Sequence, residues 1–117
     1  MSDVASRVER VLARALRATD PVAALQSAAT DETLPEPVRK ALARVDPDGV
    51  RMTALITVRL RFERLMQGSR SAAQWFEDDP SAFTAAFKRY QADVAPTATF
   101  PSDEGRLFEA WCAEENR

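Results

Sequence analysis

Three Asp-Pro pairs, Asp20-Pro21, Asp46-Pro47 and Asp79-Pro80, punctuate this 117-residue chain. An aspartate accepts hydrogen bonds from the orphan N–H groups of a helix's first turn. A proline suits the first helical position, where its missing N–H would have no partner. Each pair follows an apolar run of helical spacing and precedes another, so each marks a helix start. The flanking residues differ and the steps between the pairs are unequal, which excludes a repeat.

Between these marks the spacing predicts helices throughout. The first runs from about Asp3 to Ala18, with Val4, Val8, Val11, Leu12, Ala15 and Leu16 on one face. A short Ala-rich helix from Pro21 to about Ala29 carries Val22 and Leu25. A third piece carries Val38, Leu42 and Val45 and ends near the turn sequence Asp46-Pro47-Asp48-Gly49.

Residues 50–67 pull two ways. From Val58 to Glu63 apolar and charged residues alternate, as on a half-buried strand. Leu55, Val58, Phe62 and Leu65 instead follow a 3-4-3 spacing, and the segment holds no turn residue, so length decides for helix with Gly68 as its C-terminal cap. Ser71-Ala72-Ala73-Gln74 reads as a capping box opening a short helix with Trp75 and Phe76. Glu77, Asp78 and Asp79 suit the start of the next helix better than the end of this one. That next helix, Pro80 to about Val94, carries Phe83, Phe87, Tyr90 and Val94. After an extended connector, Ser102 with Asp103 and Glu104 opens the last helix, with Leu107, Phe108, Trp111 and Cys112 as its apolar residues.

The expected fold is therefore all-α: one compact domain over residues 1–117, an irregular bundle of five to seven short helices. All nine aromatic residues lie at or after Phe62. Residues 1–48 should accordingly form an Ala/Val/Leu-rich helical layer, and residues 49–117 an aromatic-rich core, where rings bury the most area per residue.

Composition narrows function by subtraction. There is no histidine, so the usual general base, pH switch and metal ligand are missing. One cysteine, Cys112, supports neither an internal disulfide nor a cysteine zinc site, and without a histidine to activate it an inert buried thiol is expected. Gly49, Gly68 and Gly105 are too scattered for a phosphate-cradling loop. Asp46-Pro47-Asp48-Gly49 fails as a calcium loop, because its glycine comes early and position twelve is Thr57. No catalytic residue, metal or cofactor is expected. No apolar run reaches the ~20 residues of a membrane span, no targeting segment is visible, and a reducing cytoplasm is the default compartment. A net charge of −2 argues against a general nucleic-acid coat protein.

Binding surfaces remain. Arg7, Arg10, Arg14 and Arg17 fall within one sector of roughly 80° on the first helix, beside its apolar face. Such a stripe suits an acidic partner surface, phosphates or anionic lipid; the bland alternative is a solvated face in a chain that uses fourteen arginines to two lysines. Arg59, Arg61 and Arg64 form a second cluster. On a helical wheel Arg59 falls inside the Leu55/Met66 apolar face and Arg61 and Arg64 outside it. Arg59 should then pair with a buried acid, for instance on the C-terminal helix, or anchor an interface. The adjacent rings Trp75 and Phe76 point about 100° apart, so both are expected in the core or at its edge, the sharper alternative being that one is exposed to meet a partner. The expected function is a small non-enzymatic adaptor or regulatory protein that binds an acidic protein surface through Arg7, Arg10, Arg14, Arg17, Arg59, Arg61, Arg64 and Trp75. The alternative is a DNA- or RNA-associated regulator using the same arginines.

Overall fold

The computed structural model describes residues 2–115, and all of their regular structure is helical. Seven helices follow in order among the described residues: α1 (Ser2–Arg17), α2 (Pro21–Ala29), α3 (Glu36–Ala43), α4 (Pro47–Gly68), α5 (Arg70–Asp78), α6 (Pro80–Asp93) and α7 (Pro101–Glu115). None is long and apolar enough to cross a membrane. The segment 58–63, with its strand-like alternation, lies inside α4. An isolated strand there would have no partner to accept its hydrogen bonds.

The Asp-Pro pairs act as expected. Asp20 caps α2, its carboxylate accepting from the Ala23 N–H at 3.1 Å, and Asp79 caps α6 through the Ala82 N–H at 3.2 Å. Asp46 accepts from the Asp48 N–H at 3.1 Å, so Asp46-Pro47-Asp48-Gly49 opens α4 instead of closing α3. Removing one cap should show its worth: Asp79→Ala is expected to cost about 1 kcal/mol, read as a lower denaturation midpoint at unchanged slope.

Two local expectations are corrected. The cap of α5 is Ser69, not Ser71; its Oγ accepts from the Ala72 N–H at 3.1 Å and donates to Glu109 at 2.6 Å. Gly68 is the last residue of α4 but does not adopt the left-handed conformation of a cap glycine. It is there because the backbone of α7 passes too close for a side chain, with Pro101 against the space a Cβ would fill.

The chain divides into two compact units, residues 1–56 and 57–117, and the change falls within α4. In the first, α1, α2, α3 and the start of α4 enclose Ala15, Leu25, Val38, Leu42 and Val50, with no aromatic ring among them. In the second, Leu65, Ala72, Phe83, Ala86, Phe87, Tyr90, Phe108 and Trp111 form the core. Phe83 stands at its centre, with Trp75 edge-on at 5.5 Å and Phe108 tilted at 5.7 Å. Ring quadrupoles favour such edge-on and tilted pairs over face-to-face sandwiches.

Candidate functional site

The arginine stripe of α1 opens onto a cleft. Arg7, Arg10 and Arg14, with Val11 from the same helix, line it together with Leu34 and Asp3, and its volume is about 420 Å³. Val8, Val11, Leu12, Ala15 and Leu16 turn into the core of residues 1–56, which leaves the adjoining guanidiniums at the rim. Arg10 and Arg14 are exposed and Arg7 is half-buried. Arg17, one turn on, is half-buried and outside the cleft lining.

Leu34 reaches the cleft from the α2–α3 loop, which is tied down locally. Asp31 accepts from the Thr33 N–H at 2.9 Å and from its hydroxyl at 2.7 Å, and its backbone carbonyl accepts from the Leu34 N–H at 3.0 Å. These donors favour the ionised carboxylate, so the Thr33 hydroxyl, followed by the Thr33 N–H, holds Asp31 below the ordinary carboxylate value. Arg39 Nε closes the loop by donating to the Leu34 carbonyl at 3.2 Å. The result is an apolar floor of Val11 and Leu34 under three cations. Guanidinium forks bind carboxylates or phosphates in pairs of parallel hydrogen bonds, and the Asp3 carboxylate is the one acid in the lining.

The second arginine cluster does not form a surface. Arg61, placed outside the apolar face by the helical wheel, is completely buried, so it offers no contact to a partner. Its Nε donates to Glu104 of α7 at 2.8 Å. Nη1 donates to Gln91 at 2.8 Å and to the Val94 carbonyl at 2.6 Å, and Nη2 to the Ala95 carbonyl at 3.3 Å. Its guanidinium lies 4.3 Å over the Tyr90 ring. The Tyr90 hydroxyl donates to the same Glu104 oxygen, and burial first, then this hydrogen bond, raises the phenol well above its usual value. Arg64, a quarter exposed, faces the other Glu104 oxygen at 3.7 Å, an ion pair without a hydrogen bond.

The expected pairing with an acid of the C-terminal helix therefore exists, but Arg61 makes it and not Arg59. Arg59 is 82% exposed at its side chain and pairs with Glu63 one turn on, at 3.4 Å. The wheel failed because α4 is apolar on both sides. Val50, Ala54, Arg61 and Leu65 make the buried line, whereas Leu55 and Val58, counted with Phe62 and Leu65 as one face, are exposed. Of the two adjacent rings, Trp75 packs at the edge of the 57–117 core and Phe76 is the exposed one.

Cys112 is half-buried, and its thiol is raised by burial and by Glu109. A raised thiol holds little thiolate, the reactive form. Among the described residues no group of three or more acidic or cysteine side chains is placed to hold a metal ion. No family model matches the chain, and comparison with curated proteins and with solved structures finds no match.

Proposed function

We propose that this chain is a non-enzymatic adaptor or regulatory protein of the cytoplasm, and that its α1 cleft binds an acidic surface of another protein. One observation carries the reading: Arg7, Arg10 and Arg14 share an open cleft with the apolar side chains of Val11 and Leu34. Charge at the rim speeds and orients encounter, and an apolar centre excludes water and slows release, which together make a protein-binding site. An acidic helix with one apolar anchor matches that lining in both respects.

The test uses two probes on the full chain, a glutamate-rich helical peptide carrying leucines and a DNA duplex. Arg10→Glu with Arg14→Glu should leave folding unchanged, since exposed charges contribute little to stability. Peptide affinity should fall at least about tenfold, because reversal adds repulsion to the lost attraction. Leu34→Asp should weaken the peptide as well. If the duplex binds instead, losing roughly 0.9 log units per log of salt for each contacted phosphate, and ignores Leu34→Asp, the nucleic-acid reading replaces this one. Peptide binding that is indifferent to both variants makes the stripe a solvated face.

A further inference from the structure

Helix α1 is polarised along the face that lines its cleft. Asp3, Arg7, Arg10 and Arg14 all reach that lining, and steps of four, three and four residues keep them within a sector of roughly 60°. The row covers about 16 Å of helix axis, with the acid at the N-terminal end and the three bases beyond it. Among the described residues none of the four forms an ion pair, although Asp3 and Arg7 stand one turn apart. The cleft thus presents an unanswered order of charges, one negative and then three positive.

That order selects both the occupant and its direction. A second copy of α1 is unsuitable: antiparallel pairing that sets Asp3 level with Arg14 also sets Arg7 level with Arg10, and like charges face to face repel. A complementary helix carries three acids and one base. Run antiparallel to α1, it has its acids opposite Arg14, Arg10 and Arg7 in its first turns and its base opposite Asp3 in its last. Run parallel, it has the base first and the acids last. Only the antiparallel order suits the partner's own macrodipole, which favours acids near the N-terminus and bases near the C-terminus. Helix α1 obeys the same rule, with Asp3 in its first turn and Arg14 and Arg17 in its last. Two helices that each obey it complement one another only head to tail.

Granted the cleft's role as a protein-binding site, on which this rests, we propose that its occupant is an acidic helix running antiparallel to α1. Its facing residues are three acids and then a lysine or arginine, spaced four, three and four residues apart. Leucines on the adjoining side of that helix meet Val11 and Leu34.

The test uses the full chain and a synthetic helical peptide of this pattern, with a nitroxide at its N-terminal or its C-terminal end. In NMR spectra the N-terminal label should erase the amide signals of Arg14 to Ala18, and the C-terminal label those of Val4 to Arg7. Asp3→Lys should weaken the peptide about threefold, the scale of one exposed ion pair. Exchanging the peptide's lysine for glutamate should then restore the affinity, which a defect of folding would not allow. Labels that erase the opposite ends, or both ends alike, overturn the antiparallel occupant and leave the cleft's role standing. Binding indifferent to Asp3→Lys, or a charge exchange that restores nothing, overturns the charge order in the same way. A peptide that does not bind, or binds equally well after Arg10→Glu with Arg14→Glu, removes the cleft's role and this occupant together.

Discussion

Replacing Glu104 by alanine is expected to cost the 57–117 unit about 3–5 kcal/mol, the effect of stranding a buried charge. Arg61 has no route to water: it is completely buried, and its Nε hydrogen bond to Glu104 is the ionic partner that compensates its desolvation. Tyr90 loses its acceptor in the same substitution. A typical domain is stable by only about 5–15 kcal/mol, so the variant should lose a large share of its stability and unfold at a much lower urea concentration. Both tryptophans, Trp75 and Trp111, pack in this unit's core, so intrinsic fluorescence during urea titration reports on it alone. Arg61→Met combined with Glu104→Leu should be less damaging than Glu104→Ala, since an apolar pair carries no desolvation penalty. The double variant will still trail the parent. Gln91 and the Val94 and Ala95 carbonyls lose the donor that fastens the α6–α7 connector. A Glu104→Ala variant with an unshifted midpoint would mean that the Arg61 charge is not confined there.

That contrast separates what the sequence discloses from what it withholds. Helix starts are written locally: Asp20 and Asp79 reach N–H groups three residues ahead, so the caps are visible in any short window. Arg61 and Glu104 are 43 residues apart, and nothing near Arg61 distinguishes it from Arg59. The available signal was the spacing Val50, Ala54, Arg61, Leu65. It was masked because Leu55, Val58 and Leu60 are apolar on the other side, and a wheel ranks faces only when one of them is polar. The same masking hid the exposed face of α4. In α1 the opposite holds: the Val/Leu face and the arginine stripe are distinct, so the stripe was legible. Leu34 was not, because a loop residue enters a cleft through tertiary folding that no periodicity records.

The chain's three glycines make the sharpest remaining test, because one substitution should act with opposite signs. A Cβ at Gly49 would meet only the Asp46 side chain, at 3.8 Å, an ordinary contact. Gly49 is exposed and lies in the first turn of α4, so Gly49→Ala should stabilise by about 0.5–1 kcal/mol through helix propensity and a less flexible unfolded chain. Gly68 and Gly105 are different: each fills a gap between the end of α4 and the start of α7. A Cβ at Gly68 would run into the Pro101 carbonyl, and one at Gly105 into the carbonyl of Gly68. The obstructing atoms are backbone, so no rotamer change relieves them, and the two helices would have to move apart. Parting them also strains Glu104, which neighbours Gly105 and holds Arg61. Gly105→Ala and Gly68→Ala should therefore each cost about 3 kcal/mol, at the upper end of overpacking penalties and after subtracting alanine's helical advantage. The two should not add: once one methyl has pushed α7 away from α4, the second finds space already open. Thermal unfolding followed by circular dichroism should show Gly49→Ala raising the midpoint and the other two lowering it by several degrees or more. Tolerance of alanine at Gly105 would mean that α4 and α7 do not approach as closely as their backbones do here.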